Sequence, residues 1–273
     1  MTATRRHYLS GVSINASMTR DSSDEAILYA LRNVANVAQL TIAAARDWSL
    51  TGAQQGQYAA DVMVNDAVVA ALREFGWGIL SEESGATGFD AATTADLGDQ
   101  LVVIVDPVDG STNASRGIAW HAVSLCCIDA DGARVAVVAQ LAQPHTEYAA
   151  IRGRGAWKNG EQIRRPEPRA FDQSVVGVSG PPPHEPGWWQ FRANGAAALD
   201  LCLVADGSLD GYLDCDQHGV WDYAGALLVC RESGVEVVDA FGRDLIPLRH
   251  AERRTPVAAA SPESLARLVA LRR

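Results

Sequence analysis

Apolar positions along the chain fall into blocks of two periods. Asp24 to Arg46 repeats Ala, Leu, Val and Ile at helical spacing, with Ser22, Ser23 or Asp24 able to cap the first turn, so a helix is expected there. A loop rich in Gly and Gln follows. Val62, Val69, Ala70 and Leu72 then have an approximate helical repeat, which predicts a second helix from about Ala59. Trp77 to Leu80 is a short apolar run that reads as a strand. Leu101 to Val105, LVVIV, is mostly β-branched with no polar position, the pattern of a strand buried on both faces. A polar connector, ATGFDAATTADLGDQ, separates the two. Residues 121 to 151 alternate as strands and turns, and Asn159-Gly160 signals a hairpin. Pro166 to Pro186, with PEP and PPPHEP, reads as an irregular exposed link, followed by Trp188 and Trp189, at least one of which is expected in the core. Strands near Val175, Asp210 and Val235 interleave with helices from about Ala196, Val220 and Pro262, and residues 1 to 22 read as a polar leader. Such interleaving indicates an α/β chain of layered sheets and helices.

The strand LVVIV ends in the stretch richest in chemistry, DPVDGSTN from Asp106 to Asn113. Pro107 removes a backbone donor and stops the pairing, so Asp106 and Asp109 can face one pocket. Hard carboxylate oxygens suit Mg²⁺, and the bent peptide at Val108 can add a carbonyl. Gly110 permits close backbone approach, and a helix beginning at Ser111 would aim free N–H groups at a phosphate. DPxDG alone is also compatible with a buried strand ending in an Asx turn. Further carboxylates decide the matter, and each lies beside an apolar segment: Glu82 and Glu83 after Trp77 to Leu80, Asp222 opening WDYAGALLVCRESG, and Asp61 near the start of the second helix.

These motifs, SEESG (Ser81 to Gly85), DPVDGSTN, GAAALDLCLVADGSLDGYLD (Gly195 to Asp214) and WDYAGALLVCRESG (Trp221 to Gly234), resemble in order and spacing the inositol monophosphatase family of Mg²⁺-dependent sugar phosphatases. The resemblance covers most of the chain. It implies an α-β-α-β-α sandwich, with an N-terminal part (1–145) carrying most metal ligands and a C-terminal part (146–273) carrying Asp222 and the substrate-reading residues. It implies two or three Mg²⁺ ions held by Glu82, Asp106, Asp109, Asp222 and the Val108 carbonyl. Phosphate would meet Gly110, Ser111 and Thr112, and a metal-activated water would attack near Glu82 and Ser111, with Asp61 supporting the hydroxyl. Asp66 competes with Asp61 for that role, and Gln57 and Tyr58 stand where relatives have a valine-threonine pair. Arg192 and the turn Gly195, Ala196, Ala197 would shape the substrate wall, although a surface ion pair also accounts for Arg192. The acidic residue that reads inositol hydroxyls falls near Cys215, flanked by Asp214 and Asp216. A thiol there cannot accept hydroxyl bonds as a carboxylate does.

The implied activity is hydrolysis of a small phosphorylated polyol or sugar, inositol monophosphate first. Fructose 1,6-bisphosphate, 3'-phosphoadenosine 5'-phosphate, histidinol phosphate and a pathway-specific sugar phosphate are the alternatives. A noncatalytic regulator that binds a phosphorylated ligand is a reading of another class, disfavoured because the carboxylates are all retained.

Composition narrows this further. A formal net charge of -10 over 273 residues argues against nonspecific binding to a nucleic-acid polymer. Lys158 is the sole lysine, which removes lysine-based phosphate clamps and Schiff-base chemistry. Five cysteines without CxxC or zinc-like spacing read as reduced thiols of a cytoplasmic protein. No run approaches the roughly 18 apolar residues of a membrane span. Gly153 to Ile163 contains G-x-G, but Lys158 occupies the place of the third glycine, so a dinucleotide fingerprint is rejected. His121 is assigned to the strand HAVSLCCI, and His218 is expected as a water-exposed loop residue. Relatives are often homodimers, and a homodimer is expected here.

Overall fold

The computed structural model describes residues 17–53 and 56–272; the first sixteen residues of the expected leader lie outside them. Helix α1 (Asp24–Ala44) begins at Ser23, whose hydroxyl accepts from the Ala26 amide, and its apolar stripe of Ile27, Leu31, Val34, Ala38 and Ile42 is buried. It packs with α2 (Ala59–Arg73) against the first sheet. That sheet comprises β1 (Gly78–Ser81), β2 (Gly85–Thr87), β3 (Val102–Asp109), then, after the single-turn α3 (Ser111–Ser115), β4 (Ala122–Asp129), β5 (Gly132–Gln140), β6 (Glu147–Ile151), β7 (Gly155–Lys158) and β8 (Glu161–Gln162). The order is β2-β1-β3-β4-β5-β6-β7-β8, antiparallel except for the β1–β3 pair.

Strand β3 is buried along its whole length, as its unbroken apolar start requires. Its two faces serve different cores: Val103 and Val105 join the α1/α2 side, while Val102 and Ile104 join the opposite side. That opposite side is covered by α4 (Ala197–Ala205) and α5 (Ala224–Glu232), which fill the space between the two sheets.

The second sheet is built from β9 (Val175–Ser179), β10 (Gln190–Arg192), β11 (Gly211–Asp214), β12 (Glu236–Asp239) and β13 (Pro256–Ala259), in the order β10-β9-β11-β13-β12. Helix α6 (Pro262–Arg272) closes its outer face. The result is the α-β-α-β-α layering expected from the resemblance. The chain passes from one sheet to the other between Gln162 and Val175, since β6 to β8 continue the first sheet.

Two local expectations change. The strand expected near Val175 is β9 (Val175–Ser179), so the stretch Pro166 to Pro186 is irregular only around it, and even there Phe171–Gln173 forms a 3₁₀ turn, with Phe171 and Val176 buried. Prolines punctuate its flanks without reaching the strand itself. The helix expected from Val220 begins later, because Val220–Asp222 is a 3₁₀ turn and α5 starts at Ala224. Of the tryptophan pair, Trp188 packs edge-on against Phe171, while Trp189 is exposed.

Candidate active site

The bend that ends β3 sets the site. Pairing with β4 runs from Val102 to Asp106 and resumes at Asp109, with a bulge between, so Pro107 and Val108 leave the regular ladder. Asp106, almost wholly buried, accepts the Val108 amide on Oδ1 at 2.9 Å, and its Oδ2 has no hydrogen-bond partner among the described residues. β1 runs parallel to β3 and delivers Glu82 just beyond its end, where the Glu82 amide donates to the Val105 carbonyl at 3.2 Å. The 3₁₀ turn before α5 supplies Asp222. Ligand oxygens of Glu82, Asp106 and Asp222 lie within 4.8 Å of one another.

Three carboxylates this close oppose each other strongly. At an effective dielectric of about 20, two unit charges 4 Å apart repel by about 4 kcal/mol. Burial, then Asp222 and Glu83, push Glu82 well above the ordinary carboxylate range; burial, then Glu82 and Asp109, do the same to Asp106. The donors are all hard oxygens, one of them buried without a partner. That set fits a hard divalent cation, which turns each repulsion into an attraction.

Asp109 takes a different place. It is buried by its neighbours and its two oxygens accept the Ala197 and Ala198 amides at 3.2 and 2.8 Å, so it caps α4, whose own N-cap, Ala196, has no side-chain acceptor. Burial and the nearby Asp222 raise its pKa, and the Ala198 amide opposes them. The turn that follows requires glycine: Gly110 has φ +85°, and a Cβ there would come within 3.0 Å of the Gly195 and Trp120 carbonyls. Ser111 is half-buried and Thr112 exposed at the start of α3. Asn113 fixes this turn to the second half of the chain, donating to the Trp120 and Asn194 carbonyls, each at 2.8 Å.

Asp61 is buried, whereas Asp66 is exposed. One Asp61 oxygen accepts the Tyr58 amide at 2.9 Å, the half of a capping box that starts α2; the other has no partner of hydrogen-bond length among the described residues, although the Ser111 hydroxyl is near enough to favour its ionised form. Burial wins over both donors, and the carboxyl is raised to about 7. Gln57 links Thr51 to Glu83.

On the substrate side, Arg192 is exposed and folds back on the Phe191 carbonyl and Gln190 side chain, with no ion pair among the described residues. Gly195 is exposed, and Ala196 and Ala197 are buried at the start of α4. Cys215 is half-buried, and Asp214 is fully buried. His218 overturns its expected exposure: its side chain is 16% exposed and its Nδ1 lies 2.9 Å from Asp214. Nothing in the sequence announced this pair except its i, i+4 spacing. His250 was also missed. Its Nε2 donates to the Glu82 carbonyl at 2.8 Å while its ring stacks on Trp221, one residue before Asp222. A loop histidine far along the chain carries no local signal of such a contact.

Comparison with known proteins shows the same family and fold. The model of the inositol monophosphatase family matches residues 23–273. A fructose-1,6-bisphosphatase/inositol-1-monophosphatase from Thermococcus kodakarensis is 31% identical over 214 residues, 75% of this chain and 78% of that protein. Among solved structures, a hypothetical Pyrococcus horikoshii protein described as having similarities for inositol-1 monophosphatase superposes with a TM-score of 0.78 at 23% identity, covering 91% of this chain and 98% of its own. The extragenic suppressor protein suhB from Bartonella henselae gives 0.74 at 26% identity, over 91% and 99% of the two chains.

Proposed function

Because the chain belongs to the inositol monophosphatase family and is a phosphoric monoester hydrolase of that metal-dependent group, we propose that it uses Mg²⁺ to hydrolyse a small phosphorylated polyol or sugar. The observation that carries this reading is the Glu82, Asp106 and Asp222 cluster with its unpartnered buried oxygen. These three, with Asp109 and the Val108 carbonyl at the same bend, would hold the metal. When bound, Mg²⁺ supplies charge neutralisation at the phosphate and lowers the pKa of water.

The chain's own residues do the rest. Gly110, Ser111 and Thr112 offer amides and hydroxyls to the phosphate oxygens, a transition state that asks mainly for positioning and charge balance. Asp61 orients the Ser111 hydroxyl from the buried start of α2. Asp109 holds the first turn of α4, and with it Ala196 and Ala197, against the reacting centre. Arg192, Gly195 and the Asp214–Cys215 corner form the wall met by the leaving group. The relative's name makes inositol monophosphate and fructose 1,6-bisphosphate the first substrates to test.

A homodimer is the proposed assembly, and a small phosphorylated molecule rather than a nucleic-acid polymer the proposed partner. The five thiols are free, four of them buried, which suits a reducing compartment such as the cytoplasm. No described helix is long and apolar enough to cross a membrane. The test is phosphate release from inositol 1-phosphate, fructose 1,6-bisphosphate, 3'-phosphoadenosine 5'-phosphate and histidinol phosphate, with Mg²⁺ and with EDTA. Release abolished by EDTA is the expected result; release indifferent to EDTA would overturn the metal-dependent reading.

A further inference from the structure

Glu82 and Asp222 reach the carboxylate cluster from opposite halves of the chain, one just past the end of β1 and the other in the 3₁₀ turn before α5. Until a cation joins them, like charges within 4.8 Å push these two segments apart. Their spacing therefore has to be held by groups other than the carboxylates. The β1–β3 ladder supports Glu82 through its amide, which donates to the Val105 carbonyl at 3.2 Å.

His250 supplies a support on the carbonyl side. It lies in the segment between β12 and β13, whose Leu245, Ile246 and Leu248 are buried in the core between the two sheets. Its Nε2 donates to the Glu82 carbonyl at 2.8 Å, and its ring stacks on the Trp221 indole with centroids 4.6 Å apart and planes inclined by 26°. Trp221 is buried and directly precedes Asp222. One imidazole thus touches the backbone of one carboxylate residue and the chain neighbour of another. The segment around it is tied down as well. Arg253 Nη1 donates to the His250 carbonyl at 2.7 Å while its guanidinium stands 5.0 Å from the centre of a Trp221 ring, and Arg254 exchanges backbone hydrogen bonds with His218 at 2.8 and 2.9 Å. Gly219 completes the seat of the indole, since a Cβ there would stand 2.3 Å from it. Groups that orient metal ligands in this way commonly account for about 10- to 100-fold in metal affinity.

We infer that His250 is a positioning residue of the metal centre: by joining the Glu82 carbonyl to Trp221 it fixes the spacing of Glu82 and Asp222 before a cation arrives, so that binding does not have to order them. The inference rests on the metal-centre reading above. A contact that served the fold alone would act equally with and without Mg²⁺.

The experiment titrates Mg²⁺ calorimetrically into metal-free wild type, His250→Phe and His250→Gln, and records the thermal midpoint of each in EDTA and in Mg²⁺. His250→Phe keeps a ring for Trp221 but has no donor. Its Kd should rise about tenfold, and the stability it gains at 100 times the wild-type Kd should fall by about half. His250→Gln, whose amide restores an N–H for the Glu82 carbonyl, should stay within about threefold of the wild-type Kd. Should His250→Phe not fold, His250→Ala takes its place with the same expectation. A folded His250→Phe with the wild-type Kd, its midpoint lowered equally in EDTA and in Mg²⁺, would show a contact that serves the fold alone and overturn the inference while leaving the metal centre standing. A wild type that binds no Mg²⁺ overturns it together with the metal-centre reading.

Discussion

Asp109 Oδ2 accepts the Ala198 amide at 2.8 Å, so a carboxylate at the end of a strand in the first sheet caps the helix that fills the space before the second. One side chain thereby carries both a structural and a chemical duty, and two substitutions separate them. Asp109→Ala removes the cap and should cost about 1–2 kcal/mol in urea unfolding. Asp109→Asn keeps an acceptor for α4 but loses the charge. It should unfold near the wild-type midpoint while kcat/KM falls by about 100-fold or more.

The carboxylate cluster makes the folded state respond to divalent cations. Mg²⁺ binds the native cluster and has no equivalent site in the unfolded chain, so thermal midpoints should rise with its concentration, by about 2.7 kcal/mol of stability at 100 times Kd. Differential scanning calorimetry with Mg²⁺ and with EDTA measures this. An unchanged midpoint in Asp106→Asn, alongside a rise in the wild type, is the matching expectation.

Asp61 gives a pH signature of the opposite sense to most acidic groups. Its folded pKa of about 7 lies above the ordinary value of 3.8, so its contribution to stability is present below pH 4 and is lost as pH rises through 7. In EDTA, Asp61→Asn should therefore gain thermal stability relative to wild type between pH 5 and pH 8. A difference that stays flat across that range would contradict the assignment.

Asp239 behaves in the usual direction. Burial would raise its pKa, but Arg243, through two guanidinium bonds of 2.8 Å, and the Thr255 and Arg243 amides lower it to about 2. Its stabilisation is complete above the unfolded value near 3.8 and disappears as pH falls toward 2. Asp239→Asn should cost on the order of 2 kcal/mol at pH 7, measured by urea unfolding, and the gap should close on the acid side of about pH 4.

Much of this architecture is legible along the chain because the determining signals are local. The unbroken apolar run of β3, the capping residues before α1 and the Asn159-Gly160 hairpin each declare themselves within a few residues. The bend at Pro107 was readable for the same reason, and so was the need for glycine at Gly110. What the sequence conceals is side-chain partnership across the fold. The hydrogen bond from His250 to the Glu82 carbonyl spans 168 positions, and whether Asp109 faces a metal or a helix end depends on where α4 arrives. His218 read as exposed because a loop histidine usually is; its burial follows from Asp214, which sits at the end of a strand whose flanking elements seal it. The strand near Val175 was legible, but proline density before it obscured the 3₁₀ turn at Phe171–Gln173 and its buried Phe171.

Isothermal titration of Mg²⁺ into the metal-free wild type and into Asp106→Asn tests the central claim most directly, because it reads the carboxylate cluster itself independently of any substrate. The wild type should bind, and the variant, folded by circular dichroism, should bind at least about tenfold more weakly. Equal Mg²⁺ affinity in the two proteins would contradict the assignment of Glu82, Asp106 and Asp222 as the metal centre.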